Sequence, residues 1–406
     1  MANRLSIVRR EQLPQDQRRF HDAVAFIRRR SITGPFITLL NSSPDLAARY
    51  AHLGHYFHAR GQADESILPA RVRTFVALIL SRALDGPYEW SAWVGWAVEA
   101  GIPQAAADAI RERRSPVGLT SEDTLVLEFC TQLLTGNYRV DDKTYKAALD
   151  HFGAQGTVEL VCTLGYFAMI AFPLNAFEIE MSAEQKGMRK SFEPLRYEPW
   201  KPGTDPGFGE KPGTDPDFGK ARRAARGIPR FSKHGDLAAQ DQHFLDRIVM
   251  TRGRISEPYQ VLLNTPDVAV RVAHVGSFLL YENRLSPQVN TLTWLIAARE
   301  YDCDYAWAAF VGHAQKAGVP QALIDAIAKG ERPAEPSTEQ ALLIDFCHQL
   351  LRGNHHVSDD AYRATVEHFG VANTVQIAAS IGYFVMWAFL LNTFEIEPRA
   401  ETEYPL

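Results

Sequence analysis

Residues 165–180 read GYFAMIAFPLNAFEIE (Gly165–Glu180) and residues 382–397 read GYFVMWAFLLNTFEIE (Gly382–Glu397), identical at twelve of sixteen positions. Each closes an apolar run that starts further upstream, at Thr157 in TVELVCTL and at Thr374 in TVQIAASI. These runs are apolar nearly all round and show no period-two alternation, which is the pattern of a helix buried on every side and not of a half-solvated strand. Such a helix needs other helices around it. The chain therefore reads as all-α, and it reads so twice.

Working outward, the repetition extends through most of the sequence. NSSPDLAARYAHLGHYF (Asn41–Phe57) returns as NTPDVAVRVAHVGSF (Asn264–Phe278), and LEFCTQLLTGN (Leu127–Asn137) as IDFCHQLLRGN (Ile344–Asn354). HFG occurs at His151 and again at His368, and from Leu68 to Glu180 the second copy follows at a constant offset of 217 residues. Each copy is far longer than a solenoid unit, so this is a duplicated domain. Between the copies lies KPGTDPGFGEKPGTDPDFGKARRAARG (Lys201–Gly227), a doubled KPGTDPxFG unit. Pro and Gly at this density oppose helix and strand alike, and the segment reads as a linker. The expected organisation is a first helical bundle over 1–195, a linker over 196–227 and a second bundle over 228–406.

Within each copy the periodicity is helical. PARVRTFVALILSRAL spaces Val72, Phe75, Val76 and Ile79 along one face, and SEDTLVLEFCTQLL opens with Ser121 as the expected N-cap. About six or seven helices per copy are expected from typical helix and loop lengths.

Composition bounds the function. A net charge of −5 without a basic stripe argues against nucleic acid as a partner. The polar N-terminus lacks an apolar signal core, and no uninterrupted apolar run reaches the roughly 20 residues that span a bilayer. Four cysteines (Cys130, Cys162, Cys303 and Cys347) form neither a CxxC pair nor a disulfide framework. The expectation is a cytoplasmic protein, acting on a small molecule, with no membrane partner.

The segment that differs most tellingly between the copies is DGPYEWSAWVGWAVEAGIP (Asp85–Pro103), matched by CDYAWAAFVGHAQKAGVP (Cys303–Pro320). Preceded by LPARVRTFVALILSRAL, the first version resembles the carboxymuconolactone decarboxylase family, related to the AhpD-type alkylhydroperoxidases. The resemblance rests on the Leu-Pro entry, the Arg-rich helix, the Tyr-Glu-Trp step and the Ala-Gly-Ile-Pro helix end. It covers about residues 30–190 and 250–400. It implies an AhpD-like helical bundle that forms homo-oligomers, with trimers of tandem chains one form, and an apolar active-site pocket needing no cofactor.

Carried across residue by residue, the resemblance implies different things for different members. Peroxidase members use two cysteines three apart, a following His and a Glu on the preceding helix. Those places hold Gly86, Glu89, Trp93 and Thr74 in the first copy, and Cys303, Ala306, Phe310 and Thr291 in the second. A thiol relay needs two thiols and a proton carrier, so peroxidase chemistry is disfavoured. Decarboxylase-type members have Glu at the position of Glu89 and His at that of Trp93; here the Glu is kept.

Loss of carbon dioxide from a lactone or β-keto-like acid needs stabilisation of an enolate and an acid that returns a proton to carbon. Glu89, with Tyr88, Trp90, Trp93 and Trp96 around it, suits that role if burial raises its pKa. The competing role for Glu89 is an ion pair with Arg71 or Arg82. We take Glu89, His52 and His313 as candidate catalytic residues, and Tyr88, Trp90, Trp93, Trp96 and Arg71 as candidate substrate contacts. His52, His55 and His58 share one helix face and open a metal-dependent alternative, although His52 and His58 would stand about 9 Å apart along the axis. No metal and no cofactor are assigned. The second copy is expected to be a structural partner, or else to lend His313 or Cys303 to a composite site. His355 and His356 read as solvated. A lactone, enol or aromatic acid lyase, a metal-dependent oxygenase or hydrolase, and a non-catalytic binding protein all stand as readings.

Overall fold

The structure, a computed structural model, describes residues 4–28, 32–58, 66–181, 192–196 and 237–396, with only the backbone at Thr251. Apart from residue 196, the segment read as linker lies outside the described residues. The fold is all-α, with no strand among the described residues. The first repeat contributes α1 (Arg18–Ile27), α2 (Pro35–Ser42), α3 (Pro44–Phe57), α4 (Ala70–Ala83), α5 (Pro87–Glu99), α6 (Gln104–Arg111), α7 (Ser121–Leu134) and α8 (Asp142–Ala176). The second contributes α9 (Gln242–Arg252), α10 (Glu257–Leu262), α11 (Pro266–Ser277), α12 (Pro287–Glu300), α13 (Asp304–Lys316), α14 (Gln321–Lys329), α15 (Thr338–Leu351) and α16 (Asp359–Thr393). Each repeat thus has eight helices among the described residues, slightly more than expected, because short helices such as α2 and α3 are separated by a single capping residue.

Local chemistry sets these boundaries. Ser43 ends α2 and caps α3, its hydroxyl accepting from the Leu46 amide at 3.4 Å ahead of Pro44. Helix α7 is capped by Thr120 and not by Ser121. The Thr120 hydroxyl accepts from the Asp123 amide at 3.1 Å, and the Asp123 carboxylate accepts from the Thr120 amide at 3.0 Å. The HFG motifs mark kinks: Gly153 (φ 69°) breaks the ladder inside α8, and Gly370 (φ 78°) does so inside α16. Only glycine occupies such a backbone without cost, which accounts for its presence in both motifs. The preceding histidines face acids across the kink, His151 with Glu122 at 2.8 Å and His368 with Glu339 at 3.5 Å.

The two apolar runs form the centre of the molecule. Helices α8 and α16 pack on each other, α4 packs on α8, and the face found on α4 from its spacing (Val72, Phe75, Val76, Ile79) is buried. These are the two helices apolar and long enough to cross a membrane among the described residues, but their apolar windows are wholly buried inside the fold, as core helices are. The contact between them is reciprocal. A Cβ placed on Gly165 would lie 2.3 Å from the Met386 side chain, and one on Gly382 would lie 2.7 Å from the Met169 backbone. Met386 is the counterpart of Met169 at the same offset of 217 residues. Matching positions of the two copies thus meet at this crossing.

Polar contacts across the junction follow the same rule. Arg49 donates to the His274 carbonyl at 3.0 Å, and its counterpart Arg271 donates to the His52 carbonyl at 2.6 Å. His356 bonds the Asp85 carbonyl at 2.9 Å, and Arg139, in the matching place of the first repeat, donates to the Asp302 carbonyl at 3.0 Å. This corrects the reading of His355 and His356 as solvated. His356 is buried at the junction, and burial lowers its pKa to about 4; burial also lowers that of His355.

Candidate functional site

Helix α5 positions the first-repeat site. Asp85, with positive φ, turns the chain after α4, and Pro87 starts the new helix with Glu89 in its first turn. Glu89 and Trp93 stand one turn apart, and the Trp93 indole N–H donates to a Glu89 carboxyl oxygen at 2.7 Å. Glu89 is only 3% exposed. Among the described residues the indole is its one hydrogen-bond partner, and no lysine or arginine forms an ion pair with it. Burial raises its pKa to about 7, against the smaller opposing effects of the indole bond and the Arg28 cation.

Aromatic rings enclose the pair. Phe167 meets Trp93 edge-on at 4.9 Å between centroids, Trp96 lies at 6.1 Å and the His58 ring at 5.6 Å. His58 in turn sits 2.6 Å from the Arg28 guanidinium through its Nε2, which makes that nitrogen the acceptor. Tyr166 flanks His58 at 6.3 Å. The assembled set is therefore a carboxyl with a near-neutral pKa, an imidazole, a cation and an aromatic wall.

The sequence candidates distribute unevenly. Glu89, Trp93 and Trp96 come together as expected, and Tyr88 is buried against Gly34 at the foot of the same helix. Trp90 turns to the other side, where it is 1% exposed and its indole donates to the Glu193 carbonyl at 3.1 Å; it is core, not a pocket wall. Arg71 is engaged elsewhere. Its guanidinium clamps Asp123 with bonds of 2.9 and 2.5 Å and reaches the Ala100 carbonyl at 3.2 Å, tying α4 to α7 and to the turn after α5. Arg82 pairs with Asp85, so neither arginine neutralises Glu89.

His52 is not beside Glu89. It is exposed on α3 facing the second repeat, where partial desolvation and the Arg271 cation lower its pKa to about 4. His55 is exposed as well, and of the three histidines of that helix only His58 meets the site. Among the described residues no group of three or more His, Cys, Asp and Glu side chains is placed to hold a metal ion.

His313 and Cys303 stand in their own repeat. His313 lines a cavity of about 160 Å³ in its own repeat, together with Ala306, Phe310 and Phe384, the counterparts of Glu89, Trp93 and Phe167. Cys303 is fully buried at the N-cap of α13, and burial pushes its thiol up to about 12, so it supplies no thiolate. No protein-family model and no curated protein matches the chain.

Two residues of the first-repeat site were missed in the sequence. Arg28 belongs to RRR (Arg28–Arg30) at the end of α1, a run that looks like a solvated charge cluster. His58 was seen only as one of three helix-face histidines; the signal that singles it out is that it is the last residue before the chain leaves α3.

Proposed function

We propose that the first repeat is a cofactor-independent acid–base site that decarboxylates or isomerises a lactone, enol or aromatic acid, in keeping with the resemblance to the carboxymuconolactone decarboxylase family. The observation that carries this reading is Glu89: a buried carboxyl, bonded to one indole N–H, in no ion pair among the described residues and poised near pH 7. A general acid works best when its pKa lies near the working pH. In decarboxylation the bond to the carboxylate carbon breaks, carbon dioxide leaves, and its electron pair passes into the extended enolate. Glu89 then delivers its proton to the carbanionic carbon and is reprotonated from solvent. Arg28 supplies positive charge for the substrate carboxylate or the enolate oxygen, with His58 holding its guanidinium. Trp93, Trp96 and Phe167 form the flat walls that favour an unsaturated or aromatic substrate.

The test is carbon dioxide release from 4-carboxymuconolactone and a panel of aromatic β-keto and lactone acids, with Glu89→Gln alongside. Turnover that Glu89→Gln abolishes supports the reading. Turnover unaffected by the substitution, or none with any substrate, overturns it.

A further inference from the structure

The second-repeat cavity carries a chemistry opposite to that of the first-repeat site. Where the first has Glu89 the second has Ala306, and where the first has His58 the second has Leu280. Both changes remove polar bulk, and the space is walled by Tyr259, Phe310, Phe384 and Trp387. No Asp or Glu lines it among the described residues, while Arg252 and Arg254 do.

Arg252 is the anomaly. It ends α9, is mostly buried, and forms no ion pair among the described residues. Its guanidinium donates to the Ala273 carbonyl at 2.9 Å and meets the Tyr281 hydroxyl, while its Nε–H finds no acceptor among the described residues. The compensation it has is aromatic: it stands 5.7 Å from the centroid of Tyr259 and 5.5 Å from that of Tyr281. An arginine does not shed its proton to escape burial, so the charge persists and calls for an anion. On the same wall Tyr259 is 6% exposed, and its hydroxyl lies beside that of Tyr383. A mostly buried guanidinium short of an acceptor, at the wall of an apolar cavity that carries no acid among the described residues, describes a site for an anionic ligand.

We propose that the second repeat binds a small aromatic monocarboxylate, its carboxylate taken by Arg252 and its ring held between Phe310, Phe384 and Trp387. The volume admits about one ring, since an apolar cavity of about 150 Å³ accommodates benzene. Arg254 is exposed at the edge, so Arg252 is the arginine held inside the fold, and one such guanidinium matches a planar monoanion; a phosphate dianion would leave most of its oxygens against hydrocarbon. The ligand brings to this repeat a carboxyl group, the kind of group that Glu89 provides in the first. The inference does not depend on the first-repeat chemistry, because its test involves no turnover.

Benzoate and its neutral isostere benzamide are titrated into the full chain by calorimetry and ligand-observed NMR. The expected result is one benzoate site per chain, at least tenfold tighter than benzamide and weakened by salt. Arg252→Gln is expected to erase the preference for benzoate. Ala306→Leu, which leaves Arg252 in place and fills the cavity, is expected to abolish binding of both probes. Equal affinities for the two probes in the wild type, a benzoate preference surviving Arg252→Gln, benzoate binding surviving Ala306→Leu, or no binding of benzoate would each overturn the proposal. If Arg252→Gln does not fold, the comparison of probes in the wild type and in Ala306→Leu decides it.

Discussion

Trp93 donates its indole N–H to Glu89 one helical turn earlier, at 2.7 Å, and among the described residues this is the only hydrogen bond the buried carboxyl receives. The bond orients one oxygen of Glu89 and favours its charged form, while burial disfavours that form more strongly. The balance leaves a carboxyl poised near neutrality, which is what an acid that must also be recharged at each turnover needs.

The pH dependence of turnover follows. If protonated Glu89 is the proton donor, kcat is expected to be flat below about pH 6 and to fall tenfold per unit above the group's value of about 7. Removing the indole bond in Trp93→Phe takes away a contact that favours the carboxylate, so the falling limb is expected to move to higher pH. A pH–rate profile of both proteins checks this, and a limb that stays in place in Trp93→Phe would detach the indole from the titration.

The same shift makes stability pH-dependent. The folded-state value lies above the ordinary 4.5, so the folded protein holds the Glu89 proton where the unfolded chain has released it. Glu89 therefore contributes stability below about pH 4.5 that declines as pH rises through 7. At about 1.4 kcal/mol per pKa unit the loss is about 3 kcal/mol over that window. Glu89→Gln keeps a carbonyl oxygen for the indole and has no proton to lose. Its Tm relative to wild type is expected to rise between pH 5 and pH 8, as thermal melts across that range would show.

Arg71 was a candidate for substrate contact, and its geometry now predicts a different phenotype. Its partner Asp123 is nearly inaccessible, with 2% of its side chain exposed, so Arg71→Gln strands a buried carboxylate. Breaking one side of such a pair costs about 3–5 kcal/mol when both groups are buried, and the partial exposure of Arg71 places this case below that range. Chemical denaturation is expected to show the destabilisation, with KM and kcat unchanged at a temperature where the variant is folded. A raised KM without loss of stability would return Arg71 to the site.

How much was legible follows from what each signal measures. The fold came through because helix burial is written in periodicity, and the runs at Thr157 and Thr374 carry it along their whole length. Glu89 with Trp93 came through because one turn of helix places them together whatever surrounds them. Arg28 and His58 did not, because they reach the site from two other helices and no local pattern records that meeting. Trp90 misled for the converse reason: it adjoins Glu89 in sequence, but neighbours in a helix point about 100° apart. The second-repeat cavity was not read from the sequence, because Ala306, Leu280 and Arg252 come from three separate segments and only the fold brings them to one lining.

The crossing of α8 and α16 gives the last expectation. Gly165 faces the Met386 side chain, whereas Gly382 faces the backbone of Met169. Alanine at either place forces a methyl group into filled space, and overpacking of this kind costs about 1–3 kcal/mol. The two sites differ in how they can be relieved. Met386→Ala added to Gly165→Ala removes the nearest atom, the Met386 Cγ, but leaves its Cβ and Cα at 2.8 and 3.0 Å from the methyl, so it is expected to recover part of the lost stability, a non-additive pair in a double-mutant cycle. Met169→Ala added to Gly382→Ala is expected to recover little, because the backbone atoms that block the methyl stay where they are. Urea denaturation of the two cycles measures both coupling energies. Equal rescue at the two glycines would show that the helices slide apart as bodies, so that the close approach is set by side-chain packing along their length and not by the glycines.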